Sequence, residues 1–194
     1  MTGPYAACFS RKRAYDLAVR IARTGSTSHV ARRLASSRNV AAASPDYLKR
    51  KGTPEVPDDL ARHVCVGYTY SATADEWPFV DAAGKPHPVT VDCAFHTNNG
   101  DTVRAAGLAG HGIIWAPTFL IGADLRDGRL VELLPGYRLP DIDVQALYPS
   151  RRHLSAKVRV MVDFLAEAFA GTPPWDRPAG PATVRRLGRA ARGA

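Results

Sequence analysis

The sequence predicts an α/β fold, and three features carry the prediction. Apolar runs of strand type alternate with short segments of helical spacing. Helix-start corners, Ser44-Pro45 and Asn99-Gly100-Asp101, follow strand-type runs. Gly107, Gly110 and Gly112 then stand where a helix must turn sharply into the next strand.

The elements follow in order. YDLAVRIA (15–22) reads as a strand, because Leu17, Val19 and Ile21 alternate with smaller or charged neighbours. SHVARRLA (28–35) reads as a short helix, with Val30 and Leu34 four apart. RNVAAASPDYLKRKG (38–52) passes from a small apolar strand into a helix capped by Ser44, with Pro45 at its first position and Gly52 at its close. TPEVPDDLARHV repeats that logic, with Asp58 and Asp59 in the first turn. VCVGYTY (64–70) is rich in strand formers, and EWPFVDAAGKPHPVTVDCAF predicts two strands around an Ala-Gly turn. GIIWAP (112–117) is a buried strand in type, LRDGRLVELLP ends in another, and VQALYP (144–149) is a further one. SAKVRVMVDFLAEAF (155–169) is the clearest helix, with Ser155 at its N-cap. Its apolar face is Val158, Met161, Val162, Leu165, Ala168 and Phe169. From Gly171 onward the chain is proline, glycine, alanine and arginine with few anchors, which predicts disorder.

The stretch HTNNGDTVRAAGLAGHGIIWAP (96–117) concentrates polar residues at one corner. With Asn99 as N-cap, Gly100 and Asp101 fall in the first helical turn, where backbone N–H groups lack helical partners. In α/β folds ligands sit where strand carboxyl ends meet helix amino ends, so this corner suits a polar group of a small molecule. The simpler alternative is a well-capped helix.

Composition excludes several classes. The 45% hydrophobic and 23% charged residues are ordinary soluble-globular usage, and no apolar run approaches the roughly 18 residues of a membrane span. MTGPYAACFSRKR lacks a long apolar core, which argues against a secretory signal. Cys8, Cys65 and Cys93 are an odd set without a C-x-x-C pair, which favours a reducing cytoplasm. The net charge is +8, but it belongs to the ends. Residues 11–38 carry +7 and 172–194 carry +4, which leaves 39–171 at −3. A protein built around a basic groove would not keep an acidic centre.

No catalytic constellation is legible. There is no G-x-S-x-G elbow, no H-E-x-x-H or H-x-x-x-H pairing for zinc and no G-x-x-x-x-G-K-[ST] loop. The G-x-x-G-x-G at 107–112 follows a helix rather than a strand. His96 and His111 read as structural or solvent-facing. No enzyme activity, cofactor or metal is expected.

Five blocks, in order and spacing, resemble a known family: YDLAVRI; VARRLASSRNVAAASPDYLKRKGTPEVPDDLARHVCVGY; TNNGDTVRAAGLAGHGIIWAPTFL; GRLVELLP; and ALYPSRRHLSAKVRVMVDFLAEAF. Together, over about residues 14–170, they are similar to the effector-binding region of LysR-type transcriptional regulators. The resemblance implies a periplasmic-binding-protein-like (type 2) fold, with two α/β lobes joined by two crossing strands and a small effector in the cleft. RNVAAAS and VQALYP resemble those crossing strands. Residues 44–146 then form one complete lobe, and 14–43 with 147–170 a partial one, between an unpatterned 1–13 and a disordered 171–194.

The resemblance also has a gap. The family begins with a winged helix-turn-helix and a linker helix, and nothing of that kind precedes Tyr15. The expectation is therefore an amino-terminally truncated sensor, without sequence-specific DNA binding of its own. Its partner would be an organic acid or other polar metabolite, and the intact family implies a homo-oligomer. By the resemblance the ligand candidates are Thr97, Asn98 and Asn99, then Ser44 and Pro45, then Ser26 and Ser28, with Trp115 as a pocket wall. The competing expectation is a non-specific nucleic-acid binder acting through basic termini.

Overall fold

The computed structural model describes residues 15–22, 30–71, 73, 75–148 and 155–176. In chain order the elements are β1 (Ala18–Ala22), β2 (Val30–Ala43), α1 (Pro45–Lys51), a 3-10 helix (Pro57–Arg62), β3 (Val64–Tyr68), β4 (Glu76–Asp81), β5 (Pro86–Thr90) and β6 (Asp92–Thr97). They continue with α2 (Gly100–Leu108), β7 (Ile113–Pro117), α3 (Thr118–Arg126), β8 (Val131–Leu133), β9 (Tyr137–Tyr148) and α4 (Ala156–Ala168). The strands form one sheet in the order β5-β4-β9-β2-β7-β3-β6, with β1 also paired to β9 and β8 to β2. β3 runs parallel to β6 and β7, while β2 is antiparallel to β7, β8 and β9.

The helix expected over 28–35 is a correction. Its described part, Val30 onward, is the amino-terminal half of β2, paired with β9 from Val30 opposite Tyr148. The four-residue spacing of Val30 and Leu34 has another cause. The register slips between Arg33 and Ala35, so Leu34 is an extra residue that buries beside Ala35. Long-range pairing outweighs local helix preference here. Arg32 is held by Asp163 at 2.7 Å and Arg33 reaches Asp143 at 4.0 Å, so both guanidiniums find carboxylates along the paired strands and α4.

The Ser44-Pro45 helix start forms as expected. The Ser44 side chain accepts a hydrogen bond from the Tyr47 backbone N–H at 3.3 Å, Pro45 opens α1, and Gly52 closes it at φ 85°. The 57–62 segment folds as a 3-10 helix whose Asp59 carboxylate accepts from the backbone N–H groups of Glu55 and Val56. β3, β4, β5, β7 and β8 fall where expected, but the 76–95 stretch also opens a third strand, β6 from Asp92, and β9 starts at Tyr137, seven residues before the expected 144.

α3 was not anticipated, and its cap explains why. The residue before it, Pro117, offers no side-chain cap, so the Ser37 hydroxyl of β2 accepts from the Phe119 N–H at 3.1 Å. A cap that arrives from 82 residues away leaves no local signal.

Among the described residues, three apolar clusters fill the fold. One lies on the sheet face covered by α1 and β4 and includes Ala41, Tyr47, Cys65, Trp77, Phe79 and Ile113. A second joins Val40, Val66 and Ile114 to Val103 and Ala106 of α2 and Ile121 of α3. The third joins Leu34, Ala35, Val144, Ala146 and Tyr148 to Val158 and Val162 of α4. The buried stripe of α4 is narrower than its spacing predicts, because Met161 and Ala168 face solvent. Ser155 sits at the N-cap position without a side-chain bond.

Within the expected disordered tail, Trp175 and Asp176 are anchored, which corrects that expectation at those two positions. The Trp175 ring meets Phe169 at 5.9 Å and Phe119 at 6.3 Å, its carbonyl accepts from Arg126, and Gly122 leaves room for that carbonyl. One aromatic in a Pro-Gly-rich segment supplied the anchor. Residues 1–13, the rest of the tail and Ser26 and Ser28 lie outside the described residues.

Candidate functional site at the carboxyl ends of the strands

β3, β6 and β7 are parallel, so their carboxyl ends share one edge of the fold, and two helices start there. α2 begins after Thr97, Asn98 and Asn99. The Asn99 carboxamide oxygen accepts from the Asp101 N–H at 2.8 Å and the Thr102 N–H at 3.3 Å. The Thr97 hydroxyl accepts from the Asn99 N–H at 3.2 Å, which holds the corner in place. Asn98 is exposed at its tip.

α3 starts alongside. A Cβ on Gly100 would stand 3.1 Å from the Leu120 side chain, so the first turns of α2 and α3 touch. The start of α3 is built from two residues that sequence reasoning missed. Ser37 and Thr118 are both buried and share a hydrogen bond of 3.0 Å. Their only sequence signal is a hydroxyl in an apolar strand and another at a strand-to-helix junction.

Ser44 and Pro45, the next ligand candidates, lie at a different corner, and the sheet separates the two. Thr97 pairs with Tyr68, and the β3–β7–β2 registers place that level near Ala116 and Val40. Ser44, just past the end of β2, lies four residues beyond Val40, about 13 Å at strand rise. It sits instead at the far end of α2, where its hydroxyl would be 3.1 Å from a Cβ on Gly110. Trp115 faces the first apolar cluster, edge-on to Trp77 at 5.9 Å, and acts there as core.

The glycines of the stretch do what their spacing suggests. A Cβ on Gly107 would stand 2.8 Å from Ile114, and one on Gly112 would stand 2.6 Å from the Val64 carbonyl. Gly110 adopts φ 72°, the left-handed turn between α2 and β7.

Two cavities flank the paired β2 and β9. One of about 410 Å³ is lined by Leu34, Ser36, Arg38, Asp141, Phe169 and Asp176, among others. The other, of about 280 Å³, is lined by Arg38, Asn39, Phe79, Glu132 and Tyr137, among others. Neither is lined by Thr97, Asn98, Asn99, Ser44, Pro45 or Trp115. Arg38 borders both and is held by Glu132 at 3.0 Å and Asp176 at 3.8 Å.

One residue before Thr97, the His96 Nε2 lies 2.6 Å from the Asp75 carboxylate, and Asp75 also accepts from the Cys93 thiol. The His96 contact, then the Cys93 thiol, hold the Asp75 carboxyl below the usual carboxylate range. Burial, reinforced by Asp75, pushes the Cys93 thiol up to about 12.

Comparison with known proteins gives this arrangement its family. The model of the LysR substrate binding domain matches residues 8–170. The transcriptional regulator CrgA of Neisseria meningitidis is 32% identical over 157 residues, covering 80% of this chain and 52% of CrgA. PtxR of Pseudomonas aeruginosa is 37% identical over 160 residues, covering 81% of this chain and 50% of PtxR. The chain thus spans about half the length of the curated relatives it matches. The solved regulatory domain of CrgA superposes with a TM-score of 0.68 at 32% identity, covering 79% of this chain and 75% of that one. Full-length AphB of Vibrio cholerae shares the fold at a TM-score of 0.70 and 24% identity, covering 80% of this chain and 52% of AphB. The fold is therefore the periplasmic-binding-protein-like one of LysR regulatory domains, and the chain belongs to the LysR substrate-binding domain family.

Proposed function

We propose that this chain is the effector-sensing part of a LysR-type transcriptional regulator, acting in the cytoplasm without catalysing a reaction. Its effector is a small polar metabolite, an organic acid or a zwitterion, taken at the edge that carries Thr97, Asn98 and Asn99. The observation that carries the reading is the contact between the starts of α2 and α3 at Gly100 and Leu120. Two helix amino ends in one place focus positive potential, each worth roughly 0.3–1 kcal/mol toward a negative group.

Asn99 already occupies the N–H groups of Asp101 and Thr102, so the ligand's polar atoms fall to Asn98, Thr97 and the helix field. Asp101 sits in the same first turn and opposes a strongly anionic ligand, which keeps neutral and zwitterionic metabolites within the proposal. Ser44, Pro45 and Trp115 support the lobe that presents this edge.

We assign 44–146 to one lobe, and 14–43 with 147–170 to a partial one. A separate apolar cluster of Leu34, Ala35, Tyr148 and α4 supports a second core, with Val144 and Ala146 of β9 joining it while Val40–Ala43 of β2 join the other two, as strands that cross between lobes would. The intact regulator is proposed to be a homo-oligomer, and this chain by itself to read no DNA sequence.

The test is a thermal-shift screen of small carboxylic acids, amino acids and neutral polar metabolites, followed by calorimetric titration of the best one. A saturable rise in melting temperature is expected from at least one polar metabolite. A screen in which only apolar compounds, or none, raise it would sink the proposal.

A further inference from the structure

The sequence shows Cys93 and His96 three residues apart on one strand, and ordinary alternation would send them to opposite faces. The sheet changes this. β6 pairs with β3 through Cys65 opposite Cys93 and then Val66 opposite Phe95, so Ala94 is an extra residue in β6. A one-residue bulge shifts the alternation by one and returns His96 to the face of Cys93. Asp75 meets them from the turn before β4. Its carboxylate, the Cys93 sulfur and a His96 ring nitrogen lie within 4.8 Å of one another.

We propose that Asp75, Cys93 and His96 form a divalent metal site of zinc type, with its fourth position open to solvent. Thiolate, imidazole and carboxylate are the donors zinc prefers, and three protein ligands leave one place for water or another small ligand. Tetrahedral bonds of about 2.0–2.3 Å set ligand atoms roughly 3.3–3.7 Å apart, a spacing these three groups reach by small rotations. Cys93 binds as thiolate and releases its proton to the buffer. Asp75 and His96 each keep about two fifths of their side chains exposed (40% and 41%), which gives an ion its entry path.

Gly67 is part of the arrangement, because a Cβ there would collide with the His96 ring. The glycine lets the imidazole lie flat on β3, aimed at Asp75. Bound metal would tie the segment before β4 to the edge strand β6, one residue from Thr97.

The probe is Co²⁺, then Zn²⁺ in competition, titrated into the full reduced chain. One equivalent of cobalt should give a thiolate-to-cobalt charge-transfer absorption that zinc abolishes. Cys93→Ser should remove the band. His96→Gln should weaken binding by at least tenfold, since even loss of a supporting partner costs about 10–100-fold. Gly67→Ala keeps every ligand but displaces the His96 ring, and it should weaken binding too. Cys65→Ser and Cys8→Ser should leave the band unchanged, and circular dichroism identifies the folded variants. The proposal is overturned if folded wild-type chain gives no band, if the band survives Cys93→Ser, or if folded His96→Gln and Gly67→Ala bind as wild type does.

Discussion

Arg104 of α2 grips the fully buried carboxylate of Asp124 in α3, 2.5 Å from its Nε and 2.9 Å from its terminal nitrogen. Arg129 reaches the same carboxylate at 2.6 Å. The Arg104 contact ties together the two helices whose starts meet at the proposed effector edge, and Arg129 holds the same carboxylate from the chain just after α3.

Because Asp124 has no exposed surface while both arginines are partly solvated, the carboxylate bears the desolvation cost. Either arginine alone still leaves it a partner. Arg104→Ala and Arg129→Ala should each cost less than the double variant, which strands a buried charge at about 3–5 kcal/mol. Urea unfolding of the three variants checks this. Strict additivity of the single losses would show that the two arginines do not share the load.

His63 gives the fold a pH dependence. It is buried beside Tyr47, whose hydroxyl lies 3.1 Å from Nδ1, and desolvation holds its pKa below the usual imidazole value. Arg62 and Lys51 add to that shift, while Asp59 opposes it. The folded state therefore prefers neutral His63, and the unfolded chain binds the proton more readily. That stability is present above about 6.5 and is lost as pH falls below it through the lower folded value. Denaturation midpoints should drop across this window in the wild type. In His63→Gln they should start lower and change less, and equal slopes in the two proteins would contradict the assignment.

Much of this fold was legible because its signals are local. Ser44 and Pro45 at α1, Asn99 at α2 and the glycines between α2 and β7 act within a few residues of where they stand. What the sequence concealed is long-range. The extra residue at Leu34 disguised a strand as a helix, and Ser37 capped a helix 82 residues away. The extra residue at Ala94 brought Cys93 and His96 to one face against the alternation rule. At the candidate site, the Thr97–Asn99 corner was readable as a cap. The distance between Ser44 and that corner depends on strand register, which no local pattern encodes.

α4 turns Val160, Met161 and Phe164 outward, at 68%, 48% and 61% exposure. Three large apolar groups on one helix surface favour self-association. Val158, which the spacing also pointed to, is buried and takes no part. Sedimentation should show concentration-dependent association of the wild type. Phe164→Glu should reduce it without lowering the melting temperature, since Phe164 joins no core cluster among the described residues. A chain that stays monomeric at all concentrations would remove this face as the cause.

The polar corner separates a cap from a binding site by three substitutions. Asn99 caps α2 through two N–H groups, so Asn99→Ala should cost about 0.5–2 kcal/mol of stability. Asn98 is exposed and takes no part in the cap bonds among the described residues, so Asn98→Ala should leave the melting temperature near wild type. If the metabolite found by screening docks here, Asn98→Ala should still weaken its binding by about 1 kcal/mol, roughly fivefold. Thr97 falls between the two, because its hydroxyl orders the corner through the Asn99 N–H. Thr97→Ala should therefore lose some stability as well as affinity. Unchanged affinity in both folded Asn98→Ala and Thr97→Ala would reduce the corner to a helix cap. Attention would then pass to the Arg38-lined cavity of about 410 Å³ beside β2.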